Sequence, residues 1–255
     1  MIIDAHAHVC DLDYGSGDAL VSQYEKAGID KGVIVPGGMI DVRKMTRYIS
    51  GEEKSESIYP PNYIIEEAMK KYPGRFFGLF CVNPHLGDEG IREFETAVRE
   101  KNFSGLKLAP VVHQFSLTSE TVLQLAELCG ELGVPFYSHV VFSPAASTKK
   151  FAHLVKEFPK TTFILGHMGF GPADTEAIEY GRKYQNIYFE TSDASFLIIK
   201  EALKTLGSER IIFGTEFPMY HACSAIQNIY ALDCKPDELE NIFFRNISRI
   251  LTKTA

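Results

Sequence analysis

Short apolar segments alternate along the chain with longer amphipathic segments. The apolar runs cover residues 1–6, 32–35, 76–82, 105–108, 134–140, 162–167, 187–191 and 211–215. Several are almost continuous in Val, Ile, Leu and Phe, which is typical of parallel strands covered on both faces. Helical patterns lie between them: in Glu120–Leu132 the apolar positions recur at 3.6-residue spacing, and Gly133 ends the helix.

Eight strands, each followed by a helix, predict the α/β class and a (β/α)8 TIM barrel, here a single domain over residues 1–255. The chain length suits this fold, which takes about 250 residues. The alternative is an open, doubly wound sheet, which is expected to have fewer strands and a glycine-rich turn after the first one. This first strand ends in His-Ala-His instead. Residues 36–61 form a long polar excursion, which predicts a lid or a partner contact.

Composition limits the classes of partner. The formal net charge is −7, and an acidic chain disfavours a nucleic-acid partner because attraction to phosphates supplies most non-specific affinity. The five cysteines contain no C-x-x-C pair, which indicates reduced thiols. No apolar stretch reaches about 18 residues and no secretory leader pattern is evident. We therefore expect a cytoplasmic protein with a small-molecule substrate and no membrane partner.

Histidines fall where predicted strands end. Because alternate strand residues point the same way, Asp4, His6 and His8 are predicted to share one face, with the two imidazoles on a metal ion and Asp4 orienting a ring. His139 and His167 close two later runs. The carboxyl ends of barrel strands carry the active site, so these four histidines should converge.

A carboxylate joins them at the last strand. In the segment 211–218, Ile212, Gly214 and Glu216 share a face, which brings Glu216 to the same rim. Three neutral nitrogens and a carboxylate suit one divalent ion, Zn²⁺ first, with Mn²⁺ or Co²⁺ as the alternatives. Such an ion activates water at neutral pH, with the carboxylate as proton acceptor and a further histidine as acid or base.

Three basic residues are candidates for substrate binding. Lys107 ends the fourth strand, where it either extends to solvent, offers a cation to an anionic substrate, or forms a carbamylated bridge between two metals. Arg43 and Arg47 share a helical face in the long second loop. They form either a solvated basic face or part of a lid that gathers a carboxylate.

Taken in order, these motifs resemble the amidohydrolase superfamily, specifically its amidohydrolase-2 branch, which includes decarboxylases related to aminocarboxymuconate semialdehyde decarboxylase. The matching pieces are Asp4-x-His6-x-His8, Tyr72-Pro73-Gly74-Arg75-Phe76, Val82-Asn83-Pro84, Gly105-Leu106-Lys107-Leu108, His139, His167 and Phe213-Gly214-Thr215-Glu216-Phe217-Pro218. The resemblance covers nearly the whole chain. It implies that His6, His8 and His139 bind the metal with the closing acid, and that His167 is catalytic or a ligand of a second metal. Dimers occur in the family, so a homodimer is the implied assembly.

Two positions depart from the family pattern. The closing acid of the family is aspartate, whereas this chain has Glu216, which then binds metal differently, acts only as a base, or marks lost activity. The fourth strand of the family commonly continues with His-Pro, whereas this chain has Ala109-Pro110. His113 either restores an imidazole to the rim or is a plain loop histidine.

Four functions follow from these patterns. The first is a metal-dependent hydrolase that uses activated water on an amide, ester or lactone of a small substrate, with His167 and Glu216 as the catalytic residues. The second is a metal-dependent, non-oxidative decarboxylase (a lyase) of a small aromatic or enoic acid. The third is a barrel that binds metal or ligand but has lost turnover. The fourth, a metal-dependent deoxyribonuclease, fits the acidic charge and the closing motif poorly.

Overall fold

Eight parallel strands in sequential order form the central sheet of the computed structural model, which describes residues 1–252. The strands are β1 (Ile3–Val9), β2 (Lys31–Pro36), β3 (Phe76–Cys81), β4 (Gly105–Leu108), β5 (Phe136–Ser138), β6 (Phe163–Leu165), β7 (Ile187–Glu190) and β8 (Ile211–Ile212). Each of the eight predicted apolar runs overlaps one of them, so the α/β class and the TIM-barrel prediction are confirmed.

The two edges of this sheet meet and nearly close the barrel. Ala7 and Phe217 form a parallel bridge, and the backbone N–H of His8 donates to the carbonyl of Phe217 at 2.7 Å. The backbone N–H of Glu216 donates to the carbonyl of His6 at 2.9 Å. The segment after β8 therefore continues the barrel wall beside β1, and it carries Glu216 to the end of the barrel where His6 and His8 lie.

Helices follow the strands and cover the outside of the barrel. Within residues 1–252 the α-helices are α1 (Gly17–Ala27), α2 (Met45–Ser50), α3 (Asn62–Lys71), α4 (Asp88–Glu100), α5 (Pro110–His113), α6 (Glu120–Leu132), α7 (Thr148–Glu157), α8 (Thr175–Lys183), α9 (Phe196–Leu206), α10 (Ala222–Tyr230), α11 (Pro236–Glu240) and α12 (Asn246–Leu251). The helix predicted at Glu120–Leu132 has those bounds, and Gly133 ends it in the left-handed conformation at φ 69°.

The strand alternation separates two apolar layers. In β2, Ile34 belongs to the large cluster between strands and helices, whereas Val33 and Val35 belong to a smaller cluster inside the barrel. Ile247 and Ile250 of α12 join that inner cluster. The inner layer is therefore apolar where α12 packs against it, and polar side chains occupy the other end, beyond the carboxyl ends of the strands.

Candidate metal centre

An irregularity in β1 aims two histidines into the barrel. The register of β1 against β2 shifts between Asp4 and Ala7, as in a β-bulge. Before the shift Ala5 faces the inner cluster, whereas after it Ala7 packs in the outer one. His6 and His8 therefore face inward. The shift also separates Asp4 from their face, so the expectation that Asp4, His6 and His8 share one face is wrong.

Asp4 has a structural role in place of ring orientation. Its carboxylate accepts hydrogen bonds from the backbone N–H groups of His6 and Thr215, both at 2.9 Å, and from the hydroxyls of Thr215 at 2.5 Å and Tyr24 at 2.7 Å. Complete burial raises the pKa of Asp4 to about 7, although the hydrogen bonds it accepts lower it. Asp4 thus links β1, α1 and the segment after β8, and so fixes the closure that positions His6 and Glu216.

Four side chains from four positions around the barrel converge on one point. His6, His139, His167 and Glu216 each offer one ligand atom, and these atoms lie within 4.8 Å of one another. Three imidazole nitrogens and one carboxylate oxygen form a donor set that suits Zn²⁺, Mn²⁺ or Co²⁺. The residues therefore fit a divalent ion. Compared with the predicted ligands, the group contains His167 in addition to His6, His139 and Glu216, and it does not contain His8.

Glu216 lies between the two histidines of β1. Its Oε2 is 2.6 Å from Nδ1 of His6, and its Oε1 is 3.4 Å from Nε2 of His8. Burial raises the pKa of Glu216, but the attraction of His6, His167 and His8 outweighs it and holds that pKa well below its usual range. The carboxylate is therefore ionised at neutral pH. The longer side chain of glutamate, where the family pattern has aspartate, reaches both imidazoles.

The ring of His167 is held by Ser192. Nδ1 of His167 lies 2.8 Å from the carbonyl oxygen of Ser192 and 3.1 Å from its hydroxyl. Because a carbonyl oxygen only accepts, the proton of a neutral ring is on Nδ1 and the lone pair is on Nε2. Nε2 is 3.8 Å from Glu216, and the ring stacks on His139 with centroids 4.6 Å apart. The arrangement therefore leaves Nε2 free to bind an ion.

Lys107 lies inside the donor group. Its side chain is buried, with Nζ 3.0 Å from Nε2 of His6, 2.7 Å from Nε2 of His139, and 3.9 Å from the ring centroid of Tyr137. Burial lowers the pKa of Lys107 to about 7, although the carboxylate of Glu216 raises it in part. The alternative of a lysine that extends to solvent is therefore excluded.

A buried carboxylate that the sequence analysis did not identify lies beneath the centre. Glu190 ends β7 and accepts hydrogen bonds from the hydroxyl of Tyr137 at 2.7 Å and from the backbone N–H and hydroxyl of Ser192 at 2.5 and 2.8 Å. Its Oε2 is 3.5 Å from Nδ1 of His6. Burial raises its pKa, but His6 and the hydrogen bonds outweigh it and lower that pKa to about 2. Glu190 therefore supplies a fixed negative charge under the histidines.

Several non-glycine residues at this end of the barrel have strained backbones, three of them beside the cavity. His167, Asp193 and Glu216 have φ values of 58°, 54° and 57°, in the left-handed region that non-glycine residues rarely adopt. Such conformations cost about 1–3 kcal/mol each and persist where the surrounding structure fixes them. Two of the three are members of the donor group, which indicates that their placement has been favoured over local stability.

The donor group lies at the floor of a cavity of about 560 Å³. Lys107 and His139 line its base, and the segment 36–49 forms one wall. The structure does not bring Arg43 and Arg47 to this cavity. Arg43 pairs with Asp41 at 2.8 Å and Arg47 pairs with Glu53 at 2.8 Å, with 86% and 58% of their side chains exposed.

His113 does not join the rim either. It ends α5, is buried, and has both ring nitrogens without a hydrogen-bond partner. The interpretation of His113 as a replacement imidazole at the site is therefore not supported by its position, since neither nitrogen reaches the donor group or the cavity wall.

A parallel eight-stranded barrel with imidazoles and a carboxylate gathered at the carboxyl ends of its strands defines the class: a (β/α)8 protein with a candidate metal centre. A family model described as amidohydrolase matches residues 3–252. The chain therefore belongs to the amidohydrolase family, and the inferred resemblance is confirmed. A search of curated proteins returned no match.

Solved structures share the fold at low sequence identity. An uncharacterised TIM-barrel protein from Bordetella bronchiseptica is 17% identical with a TM-score of 0.79, and 99% of each chain is covered. A 5-carboxyvanillate decarboxylase from Novosphingobium aromaticivorans, complexed with manganese, is 15% identical with a TM-score of 0.73, and 99% of this chain and 96% of that chain are covered. A probable 2-pyrone-4,6-dicarboxylic acid hydrolase from Acinetobacter baumannii is 15% identical with a TM-score of 0.68, and 98% and 99% are covered.

The family and these similar structures support an enzyme, without deciding between hydrolysis and decarboxylation. None of the helices in residues 1–252 combines the length and the apolar character that a membrane span requires.

Proposed function

We propose that the protein is a metal-dependent hydrolase that acts on an amide, ester or lactone of a small substrate in the cytoplasm. The observation that carries this proposal is the donor group of His6, His139, His167 and Glu216 at the floor of a cavity large enough for a small molecule. Zn²⁺ is the expected ion, and Mn²⁺ is the main alternative because a similar structure was solved with manganese.

The residues that would hold the ion are His6, His139, His167 and Glu216. A divalent ion bound there would lower the pKa of water and polarise a carbonyl group. A ring that binds an ion has to be neutral. At His6 burial lowers the pKa, but the carboxylate of Glu216 outweighs it and raises that pKa. At His139 burial lowers the pKa well below its usual range, and nearby Lys107 lowers it further. His139 therefore keeps a lone pair available at neutral pH.

Glu216 is the proposed proton acceptor. Its carboxylate is ionised at neutral pH and is only 8% exposed, so that few water molecules compete for its lone pairs. A water molecule that attacks a carbonyl at the cavity floor has to lose a proton, and Glu216 is the carboxylate at that floor. His167, whose Nδ1 is directed at Ser192, presents Nε2 to the same space and is proposed to act as ligand or as acid.

Lys107 is proposed to bind the acidic or carbonyl end of the substrate. It is buried within hydrogen-bond distance of two members of the donor group, so its charge is strong in this poorly solvated site. Its pKa of about 7 allows both charge states near neutrality. Arg43 and Arg47 remain candidates only for a different position of their loop, since both pair with acids on the outside.

Decarboxylation of a small aromatic or enoic acid is the second candidate. The observation that favours it is the combination of one buried cation, Lys107, with a cavity whose other walls are largely apolar. The cation would hold a carboxylate, and an apolar surrounding would favour its loss as uncharged CO₂. The carbon that loses CO₂ would take a proton in its place, for which His167 is the proposed acid. A similar structure is a decarboxylase of an aromatic acid.

A product assay separates these functions. The purified protein, loaded in turn with Zn²⁺, Mn²⁺ and Co²⁺, is incubated with aryl esters, lactones and anilides, and separately with aromatic carboxylic acids. We expect acid formation from the first group without CO₂, abolished in His139→Ala and Glu216→Gln and retained in the control Glu201→Gln, which alters an exposed glutamate of α9.

Two results would contradict the hydrolase proposal. Release of CO₂ from the aromatic acids, without hydrolysis of any ester, lactone or anilide, would establish the decarboxylase in its place. Stoichiometric metal binding with neither activity would favour the third hypothesis, a barrel that binds ligand without turnover.

A further inference from the structure

The lid segment, defined here as residues 37–61, is amphipathic: although its composition is polar, one of its faces is apolar. Val42, Met45 and Ile49 line the cavity. These positions are three and four residues apart, so they form one face of the turn 42–44 and of helix α2. Arg43 and Arg47 lie on the opposite face. The lid therefore presents hydrocarbon to the cavity and its charges to water.

Three of the four basic residues of the lid pair with acids of the same segment, and the fourth, Lys54, is exposed and does not line the cavity. Arg43 binds Asp41 through two nitrogens at 2.8 and 2.9 Å. Lys44 and Arg47 both pair with Glu53, at 3.4 and 2.8 Å. These pairs hold the cations outside the cavity, so the lid as folded supplies no positive charge to a substrate.

The other walls repeat this apolar character. Val111 and Val112 of α5, Val141 after β5, Phe170 after β6 and Met219 after β8 complete the surface around the cavity. Helix α2 packs against α5, so the lid and the loop after β4 form a continuous apolar wall. A substrate that fills this space loses its water to hydrocarbon and gains affinity only where its own surface is apolar.

Few formally charged side chains line the cavity, and carboxylates outnumber ammonium and guanidinium groups. Among the described residues that line it, Lys107 is the single one with an ammonium or guanidinium group, whereas Glu216 and Asp193 carry carboxylates. Lys107 lies at the floor, where its Nζ is within hydrogen-bond distance of His6 and His139. Asp193 lies at the rim, where it accepts a hydrogen bond from the hydroxyl of Tyr220. Away from Lys107 and the histidines of the floor, a second carboxylate on the substrate would meet hydrocarbon, the uncharged hydroxyls of Tyr14 and Ser195, or Asp193.

We infer that the substrate has a single acidic or carbonyl end, held at the cavity floor, and an otherwise uncharged, apolar body that packs under Val42, Met45 and Ile49. The inference rests on the proposed function, because it takes the metal centre as the anchor of the polar end. It makes α2 the specificity element of the protein and excludes dicarboxylic acids as preferred substrates.

Hydroxamates that differ only in their bodies test this inference by binding rather than by turnover. The hydroxamate group anchors each probe to the metal, and 4-isopropylbenzohydroxamate and 4-carboxybenzohydroxamate have bodies of nearly the same shape but different charge. With the metal-loaded protein, isothermal titration calorimetry should rank 4-isopropylbenzohydroxamate first, acetohydroxamate at least 10-fold weaker, and 4-carboxybenzohydroxamate also at least 10-fold weaker than the isopropyl probe.

A charge placed on the inner face of the lid should reverse that preference. In Met45→Lys we expect the isopropyl probe to lose at least 10-fold in affinity and the carboxy probe to gain. Ile49→Lys repeats the test at a second position, and it guards against a fold defect in either variant. The matched control is Thr46→Lys on the same helix, which adds the same charge at an exposed position outside the cavity wall and should leave the ranking unchanged.

Failure of the inference and failure of the proposed function are distinguishable in the same samples. Stoichiometric metal, acetohydroxamate binding and equal or tighter binding of the carboxy probe would overturn the apolar-substrate inference and leave the metal centre standing. Absence of metal from the native protein after reconstitution would overturn the proposed function, and this inference with it. A ranking that Met45→Lys and Thr46→Lys change equally would remove α2 as the specificity element.

Discussion

Nζ of Lys107 lies 2.7 Å from Nε2 of His139, within hydrogen-bond distance of an imidazole that also belongs to the candidate metal centre. One lone pair cannot accept a hydrogen bond and coordinate an ion at the same time. The same Nζ lies 3.0 Å from Nε2 of His6, so that an ion bound through either Nε2 would have to displace the ammonium group. The lysine and the ion therefore compete for the imidazoles, although substrate binding is proposed to need both.

Removal of the ammonium group should separate these two roles. In Lys107→Met we expect divalent metal to bind at least 10-fold more tightly, because a competing donor and a nearby positive charge are both lost. The value of kcat/KM should nevertheless fall at least 10-fold. Metal affinity is measured by competition with a fluorescent chelator, beside Lys101→Met as a control, since Lys101 is exposed at the end of α4. Weaker metal binding in Lys107→Met would show that the lysine supports the site.

The length of the Glu216 side chain should affect catalysis. In Glu216→Asp the carboxylate retreats by one methylene, and the contacts with His6 at 2.6 Å and His8 at 3.4 Å are lost or lengthened. We expect kcat/KM to fall about 10- to 100-fold, since displacements of about 1 Å at a reacting centre have effects of this size. The matched control, Glu201→Asp, should be unchanged. A rise in activity in Glu216→Asp would mean that glutamate is the compromised form.

Gly214 has no side chain at the place where the carboxylate of Glu190 lies. A Cβ at this position would overlap Oε1 of Glu190, so Gly214→Ala must displace a buried carboxylate that Tyr137 and Ser192 bind. We expect the free energy of unfolding to fall by about 2–4 kcal/mol, because buried hydrogen bonds to a charged group are lost. Urea denaturation measures this change. Gly17→Ala, where a Cβ meets only ordinary contacts, is the control.

The sequence predicted the architecture well because strands that are buried on both faces are continuous apolar segments of the sequence. All eight runs overlap strands, although β8 is only Ile211–Ile212. The closing segment that carries Glu216 is held by backbone hydrogen bonds to His6 and His8, and these long-range contacts have no local signature. Closure of the barrel followed from the strand count, whereas the shift in β1 that removes Asp4 from the site did not.

The candidate site was predicted only in part. The histidines, Lys107 and Glu216 were identified at the ends of predicted strands, but Glu190 at the end of β7 was passed over. The same signal, a polar side chain that closes an apolar run, applied to it. For the lid, the sequence left open whether Arg43 and Arg47 form a solvated basic face or gather a carboxylate. The structure has both arginines outside, and the apolar inner face of Val42, Met45 and Ile49 was not predicted.

Acid should destabilise the protein in part through His113. Burial lowers the pKa of His113 in the folded protein to about 4, and His85 lowers it further. The unfolded chain, with a histidine pKa near 6.5, binds more protons between these values, so stability falls as the pH drops from about 6.5 to about 4. In His113→Leu we expect the free energy of unfolding to decrease by about 2–3 kcal/mol less than in the native protein over this pH range. The exposed His153→Gln should show no such difference, and equal pH profiles for His113→Leu and the native protein would contradict this account.

The central claim is a metal centre at the carboxyl ends of the strands, and elemental analysis tests it most directly. The protein is purified without added metal, reconstituted separately with Zn²⁺, Mn²⁺ and Co²⁺, dialysed, and measured beside His6→Ala, His139→Ala and the control His153→Ala. We predict about one ion per chain in the native protein and the control, and its loss in the two site variants. No bound ion in the native protein with any of the three metals, or equal metal content in all four proteins, would contradict the account.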